Sequence, residues 1–501
     1  MNPIDPLPRL KSDKYSCPAR ALTLVVYAPF GSDVQLSTYP DGGTQRVSEH
    51  PLYQALQEVA NLGLNVCALI DRSDDNTSLV SASARSTLSA SSLWKHDMGS
   101  PRSLASLLQH ANALFPNTDI VLSLEGHGAG FLPQIDASQL TPEANSVTRG
   151  LGQAGLQRRH AWLIRPDDQG GQKPLPDDGQ PFLPMTESTL AGNLLPGNHY
   201  PISTWGLGWA LAQGMACRPV GDQRVAIVHF NNCFNFSTEV LHTIHRHAHY
   251  AVGYLNYNFF TAGRYYPKVF AQLAAVGQAS REELASWLAT ANANELAALP
   301  LPHPTVGGAI DLSRMPAIAQ ALDQLAKDLL ASLPAQLPAI TAAVKKAQRY
   351  DTQKPFKLVE PDSLTDLRSL AASLSAARIN DPVSASAQTL QLALSQVKAY
   401  GASGSPYMAP QERWNFDSDD LAMNIFFPDP GRIGIFDWRT PFYMSKVDAD
   451  PKAQPHVIDL LKNTRWVDFI RRYHEATVMV QLLTPSIPTF PLATFQTSFK
   501  A

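Results

Sequence analysis

Residues 225–233 read Val-Ala-Ile-Val-His-Phe-Asn-Asn-Cys, and residues 120–128 read Ile-Val-Leu-Ser-Leu-Glu-Gly-His-Gly. Each stretch is a short apolar run, rich in β-branched residues, that ends in polar ones, which is typical of strands in a buried parallel sheet. Similar runs occur at 21–27, 64–70 and 250–255, and helical patterns lie between them, at 52–60, 101–114, 205–216 and 239–247. This alternation predicts an α/β fold, with a mostly parallel sheet flanked by helices.

The ends of two of these strands carry the most promising chemistry. His127 follows one strand and Cys233 follows the other, and the carboxyl ends of parallel strands meet at one edge of a sheet. A thiol nucleophile and an imidazole acid/base are the pair that thiol catalysis requires. The alternative is that His127 ends its strand by chance and Cys233 is an inert buried thiol. The remaining cysteines, Cys17, Cys67 and Cys217, are weaker candidates because no such histidine-bearing strand end accompanies them.

Composition excludes several classes of protein. The chain has 501 residues, of which 44% are hydrophobic and 17% charged, so it is not a mostly disordered protein. The net charge of −3 leaves no basic excess for a nucleic-acid backbone. Four cysteines do not make a disulfide framework and fit a reducing compartment. No apolar run is long enough to span a membrane. The first 20 residues carry several charges and no apolar run of the kind that a secretory signal needs, so we expect a cytoplasmic protein without a membrane partner.

Pattern changes along the chain suggest four regions. We expect an N-terminal tail at 1–19 and a catalytic sheet domain at 20–275 that carries an inserted loop at 136–200. An Ala/Leu-rich helical region follows at 276–410, and a C-terminal α/β segment at 411–501 is expected to pack on the core. The fold class is therefore an α/β sheet domain with a helical and α/β C-terminal extension.

Several further segments resemble the clostripain family of cysteine peptidases, relatives of caspases, gingipains and legumains. Besides the strand ends at His127 and Cys233, the segments that carry the resemblance are 98–104 (Met-Gly-Ser-Pro-Arg-Ser-Leu), 232–240 (Asn-Cys-Phe-Asn-Phe-Ser-Thr-Glu-Val), 250–254 (Tyr-Ala-Val-Gly-Tyr), 424–428 (Asn-Ile-Phe-Phe-Pro) and 464–469 (Thr-Arg-Trp-Val-Asp-Phe). Each match is loose, but their common order over about residues 20 to 475 is specific. The resemblance implies a caspase-like sheet and a bacterial cysteine endopeptidase that acts on protein or peptide substrates.

The same resemblance implies a role for each residue at the strand ends. Cys233 would attack the scissile carbonyl, and His127 would protonate the leaving amine and later activate water. The backbone N–H groups of Gly128 and Cys233 would form the oxyanion hole. We expect the thiolate to be favoured by N–H groups at the entrance of the helix that follows. No cofactor is implied as a requirement, and calcium is the ion that family analogy suggests.

Primary specificity depends on the residue two positions before the nucleophile, which is acidic in clostripain-like enzymes and is Asn231 here. An amide offers a donor and an acceptor but no charge for a basic substrate side chain. Two outcomes stay open. Another acid, such as Glu125 or Asp136, supplies the charge and keeps a weakened basic preference, or the pocket accepts a neutral or small residue.

The segment between His127 and Cys233 is longer than one strand–helix–strand unit needs, because the two residues are 106 positions apart. It is either a site of activating cleavage, as in a zymogen, or only a flexible insertion. Cleavage would involve an activating protease or a regulatory partner. The basic residues that such a protease could cut after are Arg149, Arg158, Arg159, Arg165 and Lys173.

Two other functions compete with a peptidase. His242, His245 and His249 occur at i, i+3 and i+7 of a predicted helix, a spacing that could present two imidazoles to zinc in a zinc-dependent hydrolase. No His-Glu-x-x-His motif and no acidic or cysteine ligand completes that set, so we assign no metal ligand. The second rival is a non-catalytic caspase-like binding module, which the presence of both His127 and Cys233 disfavours.

Overall fold

A computed structural model gives the structure of the protein. It describes residues 14–16, 22–30, 36, 46–72, 77–93, 98–126, 128, 130–132, 202–219, 222–256, 258, 261–298, 305–350, 364–401, 405–406, 413–414, 420–427, 443 and 457–483. Within that part of the chain, no helix is long and apolar enough to cross a membrane.

The elements alternate along the first half of the chain. The strands are β1 (Lys14–Ser16), β2 (Leu22–Pro29), β3 (Asn65–Asp71), β4 (Thr77–Ala82), β5 (Ser89–Leu93), β6 (Asp119–Glu125), β7 (Val225–Asn231), β8 (Ala248–Tyr254), β9 (Gln278–Ser280), β10 (Val306–Asp311), β11 (Leu364–Asp366), β12 (Lys398–Gly401), β13 (Ser405–Pro406), β14 (Arg413–Trp414) and β15 (Asn424–Phe426). The helices are α1 (Pro51–Asn61), α2 (Pro101–Leu114), α3 (Thr204–Met215), α4 (Thr238–Ile244), α5 (Tyr266–Val276), α6 (Arg281–Ala297), α7 (Met315–Lys346), α8 (Leu367–Ala376), α9 (Asp381–Leu394), α10 (Asp459–Asn463) and α11 (Trp466–Leu483).

Nine strands form the main sheet, in the order β12-β10-β8-β7-β6-β2-β3-β4-β5. Its centre, β8-β7-β6-β2-β3, is parallel throughout and consists of the five strands that the sequence predicted. The predicted fold class is therefore confirmed. Two antiparallel strands are added at each edge, β4 and β5 on one side and β10 and β12 on the other.

The central strands are buried on both faces. In β2 every residue is buried, with Val25 and Tyr27 in the core of one face and Leu24 and Val26 in the core of the other. This alternation follows from the two-residue period of a strand. Helices α2, α3 and α4 cover the first face, and α1, α5 and α6 cover the second. The sheet is thus a rigid platform whose strand ends can position side chains.

The region after residue 276 is mainly helical but also contributes to the sheet. Helix α7 runs for 32 residues and buries Ile318, Leu322, Leu325 and Leu329, which confirms the helical pattern read there. Strands β10 and β12 were not predicted, because Val-Gly-Gly-Ala-Ile-Asp and Lys-Ala-Tyr-Gly have little strand propensity of their own. The boundaries assigned from the sequence stay a prediction.

Helix α4 is shorter than the predicted 239–247. It ends at Ile244, because His245–His247 form a turn and β8 begins at Ala248, which pairs with Val225 of β7. His249 consequently lies in a strand, so the proposed row of three histidines on one helix face is wrong. Among the described residues, no group of three or more His, Cys, Asp or Glu side chains could hold a metal ion.

Candidate active site

The register between β6 and β7 places the two candidate strand ends at the same level. Ser123 pairs with His229 and Glu125 pairs with Asn231, so each position of β6 faces the position 106 residues later in β7. The same offset separates His127 from Cys233. Both strands therefore leave the sheet together, two residues before the proposed catalytic pair.

Gly128 lies directly against the backbone of Cys233. A Cβ atom added at Gly128 would overlap the carbonyl oxygen of Cys233 and lie 2.7 Å from its amide nitrogen. Gly126 has a φ of 102°, a left-handed conformation that favours glycine. The Gly-His-Gly sequence thus allows the chain to turn out of β6 and approach the neighbouring strand end without side-chain obstruction.

His127 lies outside the described residues, as do Asp136, Cys17 and the five basic residues assigned to processing: Arg149, Arg158, Arg159, Arg165 and Lys173. The structure therefore brings together Gly128, Cys233, Asn231 and Glu125 out of the predicted set. The pairing of Cys233 with His127, and each assigned role, stay predictions.

The Cys233 sulfur is held by backbone groups. Sγ donates to the carbonyl oxygen of Asn258 at 3.1 Å and accepts from the amide nitrogen of the same residue at 3.3 Å. Burial raises the pKa of the Cys233 thiol to about 11, while the backbone N–H groups of Asn258 and Gly128 act in the opposite direction. The residue as a whole is partly buried. A base must deprotonate this thiol before it can attack.

The helix dipole does not supply that activation. Helix α4 begins at Thr238, capped by the hydroxyl of Ser237, five residues after Cys233. The expectation that Cys233 sits at the helix entrance is therefore wrong, because the intervening loop separates the sulfur from the first helical N–H groups. The N–H groups that do reach the thiol come from two other strand ends.

Asparagine side chains connect the loops around the nucleophile. Asn232 Nδ2 donates to the carbonyl oxygen of Leu124 at 3.1 Å, and its Oδ1 accepts from Asn235 Nδ2 at 2.7 Å. Asn235 Oδ1 in turn accepts from the backbone N–H of Gly130 at 3.0 Å. These bonds join the segment after β7 to the segment after β6, which fixes the position of Cys233 relative to Gly128.

A buried polar chain runs behind the nucleophile. Asn231 Nδ2 donates to Glu125 Oε2 at 2.7 Å, and its Oδ1 accepts from Asn258 Nδ2 at 3.0 Å. Asn258 Oδ1 accepts from Asn292 Nδ2 at 2.6 Å. Asn231 is only 3% exposed and Glu125 is not exposed at all. The amide of Asn231, two positions before Cys233, is therefore bonded directly to a carboxyl group.

The buried carboxyl group of Glu125 accepts hydrogen bonds from several side chains. Its Oε1 accepts from Ser123 Oγ at 3.0 Å and from the hydroxyl of Tyr266. Burial raises the pKa of Glu125 from its usual 4.5 to about 7, and the bonds from Tyr266, Asn231 and Ser123 partly oppose this shift. The carboxyl group therefore titrates near neutral pH.

Sequence patterns missed most of this network. Asn258 and Asn292 lie beyond β8 and on α6, and no local pattern marks their side chains as partners. His229 of β7 is fully buried, lies 3.0 Å from Ser123 Oγ, and has a pKa lowered by burial to about 3, so it is a neutral core residue. A polar residue inside each of two apolar strands, at the same register, is the signal that could have found Ser123 and His229.

The other described cysteines have different surroundings. Cys67 is completely buried in β3, and burial raises the pKa of its thiol to about 12. Cys217 is exposed and donates to the carbonyl oxygen of Gly214 at 3.8 Å. Of the three, only Cys233 lies at a carboxyl-terminal strand end, as the sequence predicted.

Comparison with solved structures identifies the fold. The chain is similar to a secreted C11 cysteine protease from Bacteroides thetaiotaomicron, "iotapain" (TM-score 0.50, 11% identity, 81% of this chain and 93% of that one). It is also similar to an inactive zymogen C11 protease from Parabacteroides distasonis (TM-score 0.50, 13% identity, 91% and 98%). A third similar structure is a secreted C11 cysteine protease from B. thetaiotaomicron in complex with an irreversible peptide inhibitor (TM-score 0.53, 12% identity, 85% and 97%). No protein-family model and no curated protein matches the sequence.

These comparisons correct one expectation and confirm another. The predicted cytoplasmic location is contradicted, because structurally similar proteases are secreted. The resemblance to clostripain-type peptidases is confirmed by three structures that match over most of the chain. The chain therefore has the fold of the C11, or clostripain-type, cysteine proteases.

Proposed function

We propose that the protein is a cysteine endopeptidase in which Cys233 is the nucleophile and His127 the general acid and base. The observation that carries this proposal is the common register of β6 and β7, together with the close approach of Gly128 to Cys233. Only a glycine fits beside the nucleophile, and it directly follows the histidine in the sequence. A core thiol with no function would not require that arrangement.

The proposed roles of Cys233 and His127 give the following reaction. His127 accepts the proton of Cys233. The hydrogen bond from Sγ to the Asn258 carbonyl oxygen is lost in this step, because that proton no longer lies on the sulfur. The thiolate attacks the scissile carbonyl carbon, and the N–H groups of Gly128 and Cys233 stabilise the oxyanion. His127 then protonates the leaving amine, and a thioester remains on Cys233. Water, deprotonated by His127, cleaves the thioester and regenerates the thiol.

Asn231 and Glu125 form the polar base of the proposed substrate pocket. The amide of Asn231 lies at the position that carries an acid in clostripain-like enzymes, and Glu125 bonds it from behind at 2.7 Å. Its carboxyl group is partly ionised near neutral pH and supplies negative charge to this side of the pocket. We therefore propose a weakened preference for basic residues. Asp136 is the alternative source of charge, and acceptance of a neutral or small residue is the alternative specificity.

Two features of the similar proteases extend the proposal. One of the matching structures is an inactive zymogen, and two are of secreted enzymes. We propose that this protein is likewise secreted and is activated by cleavage in the segment that contains Arg149, Arg158, Arg159, Arg165 and Lys173. The proposed peptidase mechanism requires no cofactor, and calcium is the ion that family analogy suggests.

The decisive experiment compares peptide-library cleavage by the wild type, Cys233→Ala and His127→Ala. Each variant should lose cleavage completely while it keeps the wild-type melting temperature. Cys217→Ala is the matched control, because it removes an exposed thiol away from the strand ends. Near-wild-type cleavage by either active-site variant, or inhibition by chelators but not by thiol alkylation, would contradict the cysteine-peptidase proposal.

A further inference from the structure

Two loops bracket the Cys233 sulfur, and they run side by side. The loop after β7 contains Cys233 and Phe234, and the loop after β8 contains Asn256 and Asn258. The Phe234 N–H donates to the Asn256 carbonyl oxygen at 3.0 Å, and two residues later Phe236 N–H donates to the Tyr254 carbonyl oxygen at 3.2 Å. The contacts of Sγ with Asn258 therefore depend on the alignment of these loops.

A residue from the distant C-terminal segment joins both loops. Asn424, in β15, is completely buried, and its Nδ2 donates to the carbonyl oxygens of Phe234 at 2.8 Å and Leu255 at 2.9 Å. These acceptors precede it in the sequence by 190 and 169 positions. Because both partners are acceptors, the amide nitrogen with its two hydrogens, and not Oδ1, must face them, which fixes the orientation of this side chain.

The backbone of Asn424 is bound to the same region. Its N–H donates to the Phe236 carbonyl oxygen at 3.1 Å, and its own carbonyl oxygen accepts from Thr238 Oγ1 at 3.0 Å. One residue thus makes four hydrogen bonds, two to the loop after the nucleophile, one to the first residue of α4 and one to the residue that follows β8. Strand β15 is thereby attached to the loops that follow β7 and β8.

The first of these acceptors belongs to a strained residue. Phe234 has a φ of 59°, a left-handed conformation that is unfavourable for a bulky side chain. Such conformations persist where surrounding contacts determine them, and they are common at functional sites. Phe234 directly follows the nucleophile, so a change in its backbone would also move the Cys233 carbonyl and sulfur.

We propose that Asn424 is a positioning residue for the nucleophile, which acts by holding the loops after β7 and β8 in the alignment that keeps the Asn258 and Gly128 N–H groups on the sulfur. This inference rests on the proposed role of Cys233. It makes the C-terminal segment a part of the catalytic centre, although that segment contributes no reacting group.

The test measures thiol reactivity directly. Iodoacetamide alkylation of Cys233 is followed by mass spectrometry of its peptide between pH 7 and pH 10, in the full-length protein. In Asn424→Ala the sulfur loses the alignment of its N–H donors, so its pKa rises. At pH values below the pKa of the thiol, a rise of one unit in that pKa slows alkylation about ten-fold, because ten-fold less thiolate is present. Peptide cleavage should show a similar fall in kcat with little change in KM.

Two further variants separate positioning from loss of stability. Thr365→Val is the matched control, because Thr365 pairs with Ile425 beside Asn424, and its buried Oγ1 has no hydrogen-bond partner among the described residues. It should alkylate like the wild type. Asn424→Ser keeps one donor and should give an intermediate rate, which preserves the test if Asn424→Ala does not fold.

An alkylation profile identical to the wild type in both Asn424 variants would overturn the inference, and so would an equal slowing in Thr365→Val. Alkylation does not depend on peptide cleavage. A Cys233→Ala variant that still cleaves peptides would therefore refute the proposed function separately.

Discussion

At the scale of the residue, Asn231 is the strongest test of substrate specificity. Asn231→Asp replaces an amide by a carboxyl group that meets Glu125, and the two carboxyls will share one proton at neutral pH. The remaining negative charge should raise kcat/KM for arginine substrates by about ten-fold or more through a charge-assisted bond. Rates on position-scanning substrates measure this, with Asn294→Asp, on the exposed face of α6, as the control for added charge.

An unchanged rate on arginine substrates in Asn231→Asp would show that this residue does not line the pocket. The assignment taken from the family resemblance would then be wrong at this position, while the roles of Cys233 and His127 would be untouched.

Glu125 should also make stability depend on pH. Its folded pKa, about 7, is raised above the usual 4.5, so the protonated carboxyl favours the folded state. This contribution is fully present below about pH 4.5 and is lost as the pH rises through 7, by roughly 3 kcal/mol in total. Urea unfolding from pH 4.5 to 8 should show that the free energy of unfolding of the wild type falls relative to that of Glu125→Gln as the pH rises, because glutamine does not titrate. A difference in the free energy of unfolding that does not change with pH would mean that Glu125 does not titrate in this range.

At the scale of the element, the contact between the ends of β6 and β7 is the critical one. Gly128→Ala places a Cβ in the space of the Cys233 carbonyl oxygen, and the atoms it meets are backbone atoms of Cys233, which cannot give way as the end of a flexible side chain could. We expect peptide cleavage to fall at least 100-fold, by analogy with a catalytic group displaced by about 1 Å.

Gly277→Ala, at the end of α5, is the control, because nothing lies within 4 Å of its Cβ. Its positive φ should cost about 1 kcal/mol of stability and leave activity intact. Equal activity losses in the two variants would contradict the close approach.

At the scale of the whole molecule, the segment between His127 and Cys233 can be cut without separating its ends. The Thr204 N–H donates to the Leu132 carbonyl oxygen at 2.9 Å, and the Leu132 N–H donates to Thr204 Oγ1 at 2.9 Å. Strands β6 and β7 are also paired in the sheet. A chain cleaved in this segment should therefore run as two fragments on a denaturing gel and as one particle in gel filtration.

Replacement of the five basic residues of that segment by alanine should keep the chain intact. If the wild type is fully active as a single uncut chain, processing is not required. Cleavage of a Cys233→Ala chain only after addition of wild-type enzyme would indicate that the protein processes itself.

The sequence by itself determined the five parallel strands, because each is an apolar run long enough to be buried on both faces, with a helical pattern before the next. It also determined that Cys233 and Asn231 lie at the end of a strand, because the apolar run that begins at Val225 gives way to polar residues there. The predicted range of helix α4 was too long at its C-terminal end, because the pairing of Ala248 with Val225 outweighs the local helical pattern.

Only the tertiary structure decided the surroundings of the nucleophile. Three contacts there join residues at least 100 positions apart. They are the approach of Gly128 to Cys233, the hydrogen bond from Asn231 to Glu125, and the hydrogen bond from Asn424 to the Phe234 carbonyl oxygen. Such contacts depend on strand order, register and loop geometry, none of which leaves a local pattern in the sequence. Strands β10 and β12, outside the parallel centre, likewise form by pairing with an existing sheet, since their own residues have little preference for the extended conformation.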